Sequence, residues 1–214
     1  MHTSFLDIRG FGQASAHRQP PHHLETFQPG DILGFSECSL SGAAINLATW
    51  GCPGWGLSHV GIVAMRPGTT RQLLWESTSL CPLPCDIQAR VVSGVQAHRL
   101  WARLRTFAGR VWVYRLTTPL TEAESTRLSL FVWTHLGVSY DFLGAFRLRV
   151  TPLGLLEQLL CPEELHSLFC SELLAAALRH IGRHGDHNAS RWSPNRLCRH
   201  LVRAGIYCPA VRIK

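Results

Sequence analysis

The chain has 214 residues, 46% hydrophobic and 16% charged, enough to bury a sizeable core in one large domain or two small ones. No run of about 18 apolar residues occurs, which argues against a transmembrane helix, and MHTSFLDIRGFGQASAHRQPPHH lacks the apolar core of a signal peptide, so a cytoplasmic location is expected. The formal net charge is +7, yet the arginines are scattered and no dense basic run carries interleaved aromatics, so no nucleic-acid partner is expected.

Residues 1–28, rich in His, Pro, Gln and Ser and without periodicity, read as a flexible arm, and residues 29–214 as the folded domain. Pro29-Gly30 marks a turn and Asp31 to Phe35 a short strand. Residues 39–50, SLSGAAINLATW, are compatible with a helix, and GCPGWGLS is a Gly/Pro loop. HVGIVAM and RQLLWEST are two apolar, β-branched runs flanking Pro67-Gly68, a hairpin signal. GVQAHRLWARLRTFAGRVWVYRL holds a strand pair or a strand–helix–strand unit. Residues 121–137 predict a helix, with Thr121 and Glu124 in capping-box spacing. YDFLGAFRLRV is apolar and irregular, CPEELHSL begins a helix at Pro162, and a further helix carrying Cys170 follows, stopped by Gly182. Ser193 and Pro194 open a last short helix. The order predicts an α+β fold with an antiparallel sheet packed against helices.

The eight cysteines are irregularly spaced in a long chain, so reduced thiols are expected. Cys170 is the one placed for chemistry. It is read at a helix N-terminus, where exposed N–H groups and the helix dipole favour a thiolate. A cysteine nucleophile needs a base, and the base an orienting group. If the hairpin is symmetric about Pro67-Gly68, His59 stands directly opposite Glu76. Cross-strand partners on one face lie roughly 4.5–5.5 Å apart at Cβ, so the carboxylate can accept the ring N–H and fix the tautomer. Taken singly, each residue has a plainer reading: a core cysteine, a satisfied histidine, a solvated strand end. The three together point to nucleophilic catalysis. Trp55, in the loop before the base, is placed to wall a cleft, and Ser58 beside His59 is counted with it as substrate-binding.

PGDILGF, LSHVGIV, WEST, Tyr140-Asp141 and FCSELL, followed by SPNRLCRHL, resemble the circularly permuted NlpC-type papain-like hydrolases, in particular the YiiX/YaeF-like group. The resemblance runs over about residues 29–205, and HVGI and FCSELL are its most specific pieces. It implies a permuted papain-like fold, with the His strand before the Cys helix, and a thiol hydrolase or acyl transferase acting on amide or ester bonds. By position it implies Cys170 as nucleophile, His59 as base, Glu76 as orienting residue and Tyr140 as a site-lining side chain. The substrate would be an acyl-amide or acyl-ester, from a peptide, a cell-wall fragment or a lipid. The His/Pro-rich arm, the Trp/Cys-rich loop before His59 and the CPLPC insert depart from the family pattern and bear on the substrate.

No cofactor is expected, since no Gly-rich phosphate loop is present. His180, His184 and His187, with Cys198, His200 and Cys208, invite a metal reading, but Gly182 and Gly185 interrupt the helix needed to align them, so no metal is expected. Cys81 and Cys85 read as loop thiols, and Asp31 as turn chemistry. The rival function is a papain-like binding module without turnover, holding a lipid, peptide or protein.

Overall fold

In HVGIVAM the side chains of Val60, Ile62 and Ala64 join one apolar cluster and Val63 joins another, and all four are buried. A strand apolar on both sides needs cover on both faces of its sheet, and that requirement shapes the architecture. The computed structural model describes residues 26–37, 56–79, 81–138, 162–185 and 192–214, with backbone only over 162–169. The elements in chain order are β1 (Ile32–Glu37), β2 (His59–Met65), β3 (Gln72–Thr78), β4 (Gly94–His98), α1 (Leu100–Thr106), β5 (Gly109–Tyr114), α2 (Glu122–Thr134), α3 (Pro162–His180), α4 (Pro194–Arg203) and β6 (Val211–Arg212).

The strands form one antiparallel sheet of six in the order β4-β3-β2-β1-β5-β6. The fold is therefore α+β, with an antiparallel sheet against helices. On one face α2, α3 and α4 bring Leu128, Leu174, Leu178 and Leu197 onto Ile62 and Trp75. On the other, α1 lays Leu100 and Leu104 over Leu33, Val63 and Leu74. Phe27 belongs to this second cluster and is buried, so packed structure reaches into residues that the sequence assigned to the arm. The first 25 residues, the helix expected over 39–50 and the YDFLGAFRLRV segment lie outside the described residues.

The local signals act as their chemistry requires. Thr121 and Glu124 form a complete capping box at the start of α2. Ser193 caps α4, with Pro194 in its first turn. Asp31 closes a turn, its side chain accepting from the Gln28 N–H at 2.9 Å.

Two expectations need correction. The β2–β3 ladder pairs Ile62 with Trp75 and Met65 with Gln72, and Arg66 N–H bonds the Arg71 carbonyl at 2.8 Å. The turn is thus longer than a tight Pro67-Gly68 bend, and the register carried to the strand ends sets His59 against Thr78 rather than Glu76. A slip of two residues keeps both side chains on the same face. The second correction concerns Cys170. It does not open a helix, because Pro162 and Cys170 belong to one helix of 19 residues. PEELHSLF has proline at its first position and no breaker before the cysteine, so the helix runs through. Cys170 sits about two turns inside it, beyond the reach of the helix N-terminus.

Candidate active site

Glu76 is fully buried near the end of β3, on the face covered by α1. A carboxylate in that position must be paired. Its Oε2 lies 2.5 Å from His59 Nε2, at the first residue of β2. Its other partner is Arg103 of α1, whose Nε donates to Oε1 at 2.7 Å and whose guanidinium also donates to Oε2 at 3.2 Å. Burial opposes ionisation of Glu76, but the Arg103 charge and the His59 hydrogen bond outweigh it and hold the carboxyl down at about 2.

With Nε2 committed to Glu76, the His59 ring also hydrogen-bonds the side chain of Cys170. Burial works against a charged ring here, yet the pull of Cys170 and then of Glu76 carries His59 up to about 9. The structure thus brings together all three residues singled out as nucleophile, base and orienter, on β2, β3 and α3. His59 is the most exposed of them, its side chain at 13%, whereas Cys170 is 1% exposed.

The approach to His59 is held from two sides. Ser58 N–H and its hydroxyl both donate to the Phe35 carbonyl, at 2.8 and 3.2 Å. Asn195, at the start of α4, bonds both backbone polar groups of Leu57. Ser58 therefore anchors the strand entrance beside His59. Trp55 and Tyr140 lie outside the described residues.

Arg103 went unnoticed in the sequence. The signal was its spacing: Leu100, Arg103, Leu104 and Phe107 fall at the intervals of an apolar helical stripe, and a charge on such a stripe is buried and paired. His98, Gln96 and Cys81 were missed as well. His98 Nε2 faces Gln96 Oε1 at 3.0 Å and Glu76 Oε1 at 3.7 Å. Burial pushes the His98 ring down, favouring its neutral form, and pushes the Cys81 thiol up. Cys81 and Cys85 lie in the loop between β3 and β4, as expected, and both are buried.

Among the described residues, Glu76, Cys81 and His98 form one buried cluster that offers three ligand atoms within 4.8 Å of one another. The set is compatible with cysteine-hydrolase chemistry and, by residue type, with a soft metal ion. For a metal the fit is poor, because the Arg103 guanidinium already occupies the Glu76 carboxylate at 2.7 Å and would face the ion as a fixed like charge. His187 lies outside the described residues, His184 is buried and Cys208 is exposed.

No family model matches the chain, and no curated protein matches it. Among solved structures it is similar to the metalloprotein YiiX from Escherichia coli O157:H7, at 20% identity and a TM-score of 0.46, over 72% of this chain and 67% of that one. No helix among the described residues is long and apolar enough to cross a membrane.

Proposed function

We propose that this protein is a cysteine hydrolase of the permuted papain-like, NlpC type, cleaving an amide or ester bond through a thioester acyl-enzyme. The observation that carries the reading is the His59 ring, hydrogen-bonded to the Glu76 carboxylate at 2.5 Å and to the Cys170 side chain. Glu76 holds the ring in one tautomer and favours its protonated form. In the reacting form the proton of Cys170 Sγ already rests on His59, and the sulfur attacks the substrate carbonyl carbon as a thiolate. The tetrahedral intermediate collapses as His59 gives that proton to the leaving nitrogen or oxygen. Water, deprotonated by His59, then attacks the thioester, and the proton returns to the departing Cys170 sulfur. The Cys170 N–H lies within the helical ladder, so the oxyanion donors belong elsewhere. Peptide, cell-wall fragment and lipid acyl groups all suit this chemistry, with Trp55, Ser58 and Tyr140 as proposed substrate contacts.

A binding module without turnover is the second reading. It is favoured by the position of Cys170, inside a helix and 1% exposed. The two are separated by iodoacetamide alkylation followed residue by residue by mass spectrometry, then by a screen of amide and ester substrates. The hydrolase reading expects Cys170 to react faster at pH 6 than any other thiol, to lose that advantage in His59→Ala, and to lose turnover in Cys170→Ala. An inert Cys170, indifferent to His59, would leave the binding module.

A further inference from the structure

The Glu76 carboxylate has an imidazole on each side. His59 of β2 lies 2.5 Å from Oε2, and His98 of β4 lies 3.7 Å from Oε1. Cys81, after β3, completes the surroundings. Oε1 also accepts from the Arg103 guanidinium, with Nε at 2.7 Å, closer than His98. Its second bond, at 3.2 Å, reaches Oε2, so both oxygens are held in one plane. Two aromatic rings flank the guanidinium in this position. It lies 4.9 Å from the Phe35 ring centroid and 5.3 Å from that of Phe107, and these rings meet edge-on at 5.0 Å. Phe35 also touches the His59 ring, centroid to centroid at 5.5 Å.

We propose that Arg103 is a positioning residue of the site: by occupying Oε1 it turns Oε2 of Glu76 toward His59 rather than His98, and so sets the tautomer and orientation of the ring that faces Cys170. This rests on the hydrolase reading, in which His59 is the base. Among the described residues, the titratable groups around Glu76 are His59, His98, Arg103 and Cys81, and the His59 ring in turn hydrogen-bonds Cys170 of α3. A lysine would keep the charge but lose the planar fork that fits between two rings and two oxygens.

The test uses the full chain and measures the rate of iodoacetamide alkylation at Cys170 between about pH 4 and 9, with the nitrogen chemical shifts of His59 and His98 as the tautomer readout. Arg103→Gln should lower the rate at pH 6 by about tenfold or more and alter the His59 tautomer signals. Arg103→Lys should restore part of the rate and little of the tautomer signature. In a Glu76→Gln background, Arg103→Gln should add nothing further, because it acts through that carboxylate. Leu104→Ala, on the same helix, serves as the folding control and should lower stability without moving the profile. If Glu76→Gln shifts the profile and Arg103→Gln does not, the role given to Arg103 is wrong and the hydrolase reading stands. A shift in Leu104→Ala equal to that in Arg103→Gln likewise rejects positioning in favour of a structural role. If wild-type Cys170 reacts no faster than Cys208 and ignores His59→Ala, the hydrolase reading falls and this proposal with it.

Discussion

Asn195 grips Leu57 by both of its backbone polar groups: Oδ1 accepts from the Leu57 N–H at 2.7 Å, and Nδ2 donates to the Leu57 carbonyl at 2.9 Å. This clamp ties α4 to the segment that enters β2, two residues before His59. Asn195→Ala would leave a buried donor and a buried acceptor unmet, each costing about 1–3 kcal/mol. Urea denaturation is expected to show a loss of about 2–4 kcal/mol for Asn195→Ala. Asn195→Asp keeps the acceptor and loses the donor, and should fall between this variant and wild type.

Arg103 and Glu76 form a buried pair whose halves do not tolerate separation. Arg103→Met leaves the carboxylate without its strongest counter-charge and is expected to cost about 3–5 kcal/mol. Arg103→Met combined with Glu76→Gln removes both charges and should regain more than half of that loss. Denaturation of the four proteins gives a double-mutant cycle with a coupling of at least about 1 kcal/mol. Additive effects would show that the contact at 2.7 Å contributes no coupling.

Stability should fall at both ends of the pH scale, for opposite reasons. Glu76, at about 2 against an ordinary 4.5, contributes stability that is present above the higher value and lost as pH falls toward the lower one. Glu124 acts in the same acid window, its carboxyl held at about 2 chiefly by the hydrogen bonds from Arg183. His59 is raised from 6.5 to about 9, so its contribution is full below 6.5 and lost as pH rises through 9. Urea midpoints across pH should lose part of the acid limb in Glu76→Gln, and separately in Glu124→Gln. The alkaline limb should flatten in His59→Gln. An alkaline limb unchanged by that substitution would reject the His59 assignment.

Two glycines should respond to alanine by different amounts. Gly182 ends α3 with φ at +80°, and the Arg183 N–H reaches back to the Leu178 carbonyl at 2.9 Å. A Cβ there would meet nothing within 4 Å, so Gly182→Ala carries only the left-handed backbone penalty, about 1–2 kcal/mol. Its melting temperature should drop by about 2–8 °C. At Gly109 a Cβ would stand 2.4 Å from the Ser36 carbonyl oxygen and 2.5 Å from the Phe107 ring. Gly109→Ala should therefore cost more, and it should disturb the ring that flanks Arg103. Thermal unfolding of the two variants side by side tests the ranking.

The parts of the fold written in local chemistry were legible in the sequence. The capping box at Thr121, the stop at Gly182, the Ser193-Pro194 start and the paired runs around Pro67-Gly68 each follow from contacts within a few residues. The His59–Glu76 pairing was legible for a partly mistaken reason. A tight turn was assumed, the real one is longer, and the contact survives because a two-residue slip preserves the face and long side chains reach diagonally. Helix length misled at Cys170, where two predicted helices are one. Arg103 was the largest omission. Its stripe position was visible, but its partner lies 27 residues away on another element, a pairing that no local rule supplies.

Sheet order has a consequence for how the molecule comes into being. β1 lies between β2 and β5, and Phe35 pairs with both His59 and Val111, so the centre of the sheet cannot close until residue 111 has been made. Such distant pairings slow folding. They also impose an order of arrival during synthesis, which runs from the N-terminus. His59, Glu76, His98 and Arg103 all belong to the first half of the chain, and Cys170 leaves the ribosome well after them. The carboxylate–imidazole–guanidinium cluster therefore has its elements in hand before Cys170 exists, and a nascent chain that stalls before α3 carries His59 without the thiol that its ring meets in the folded protein.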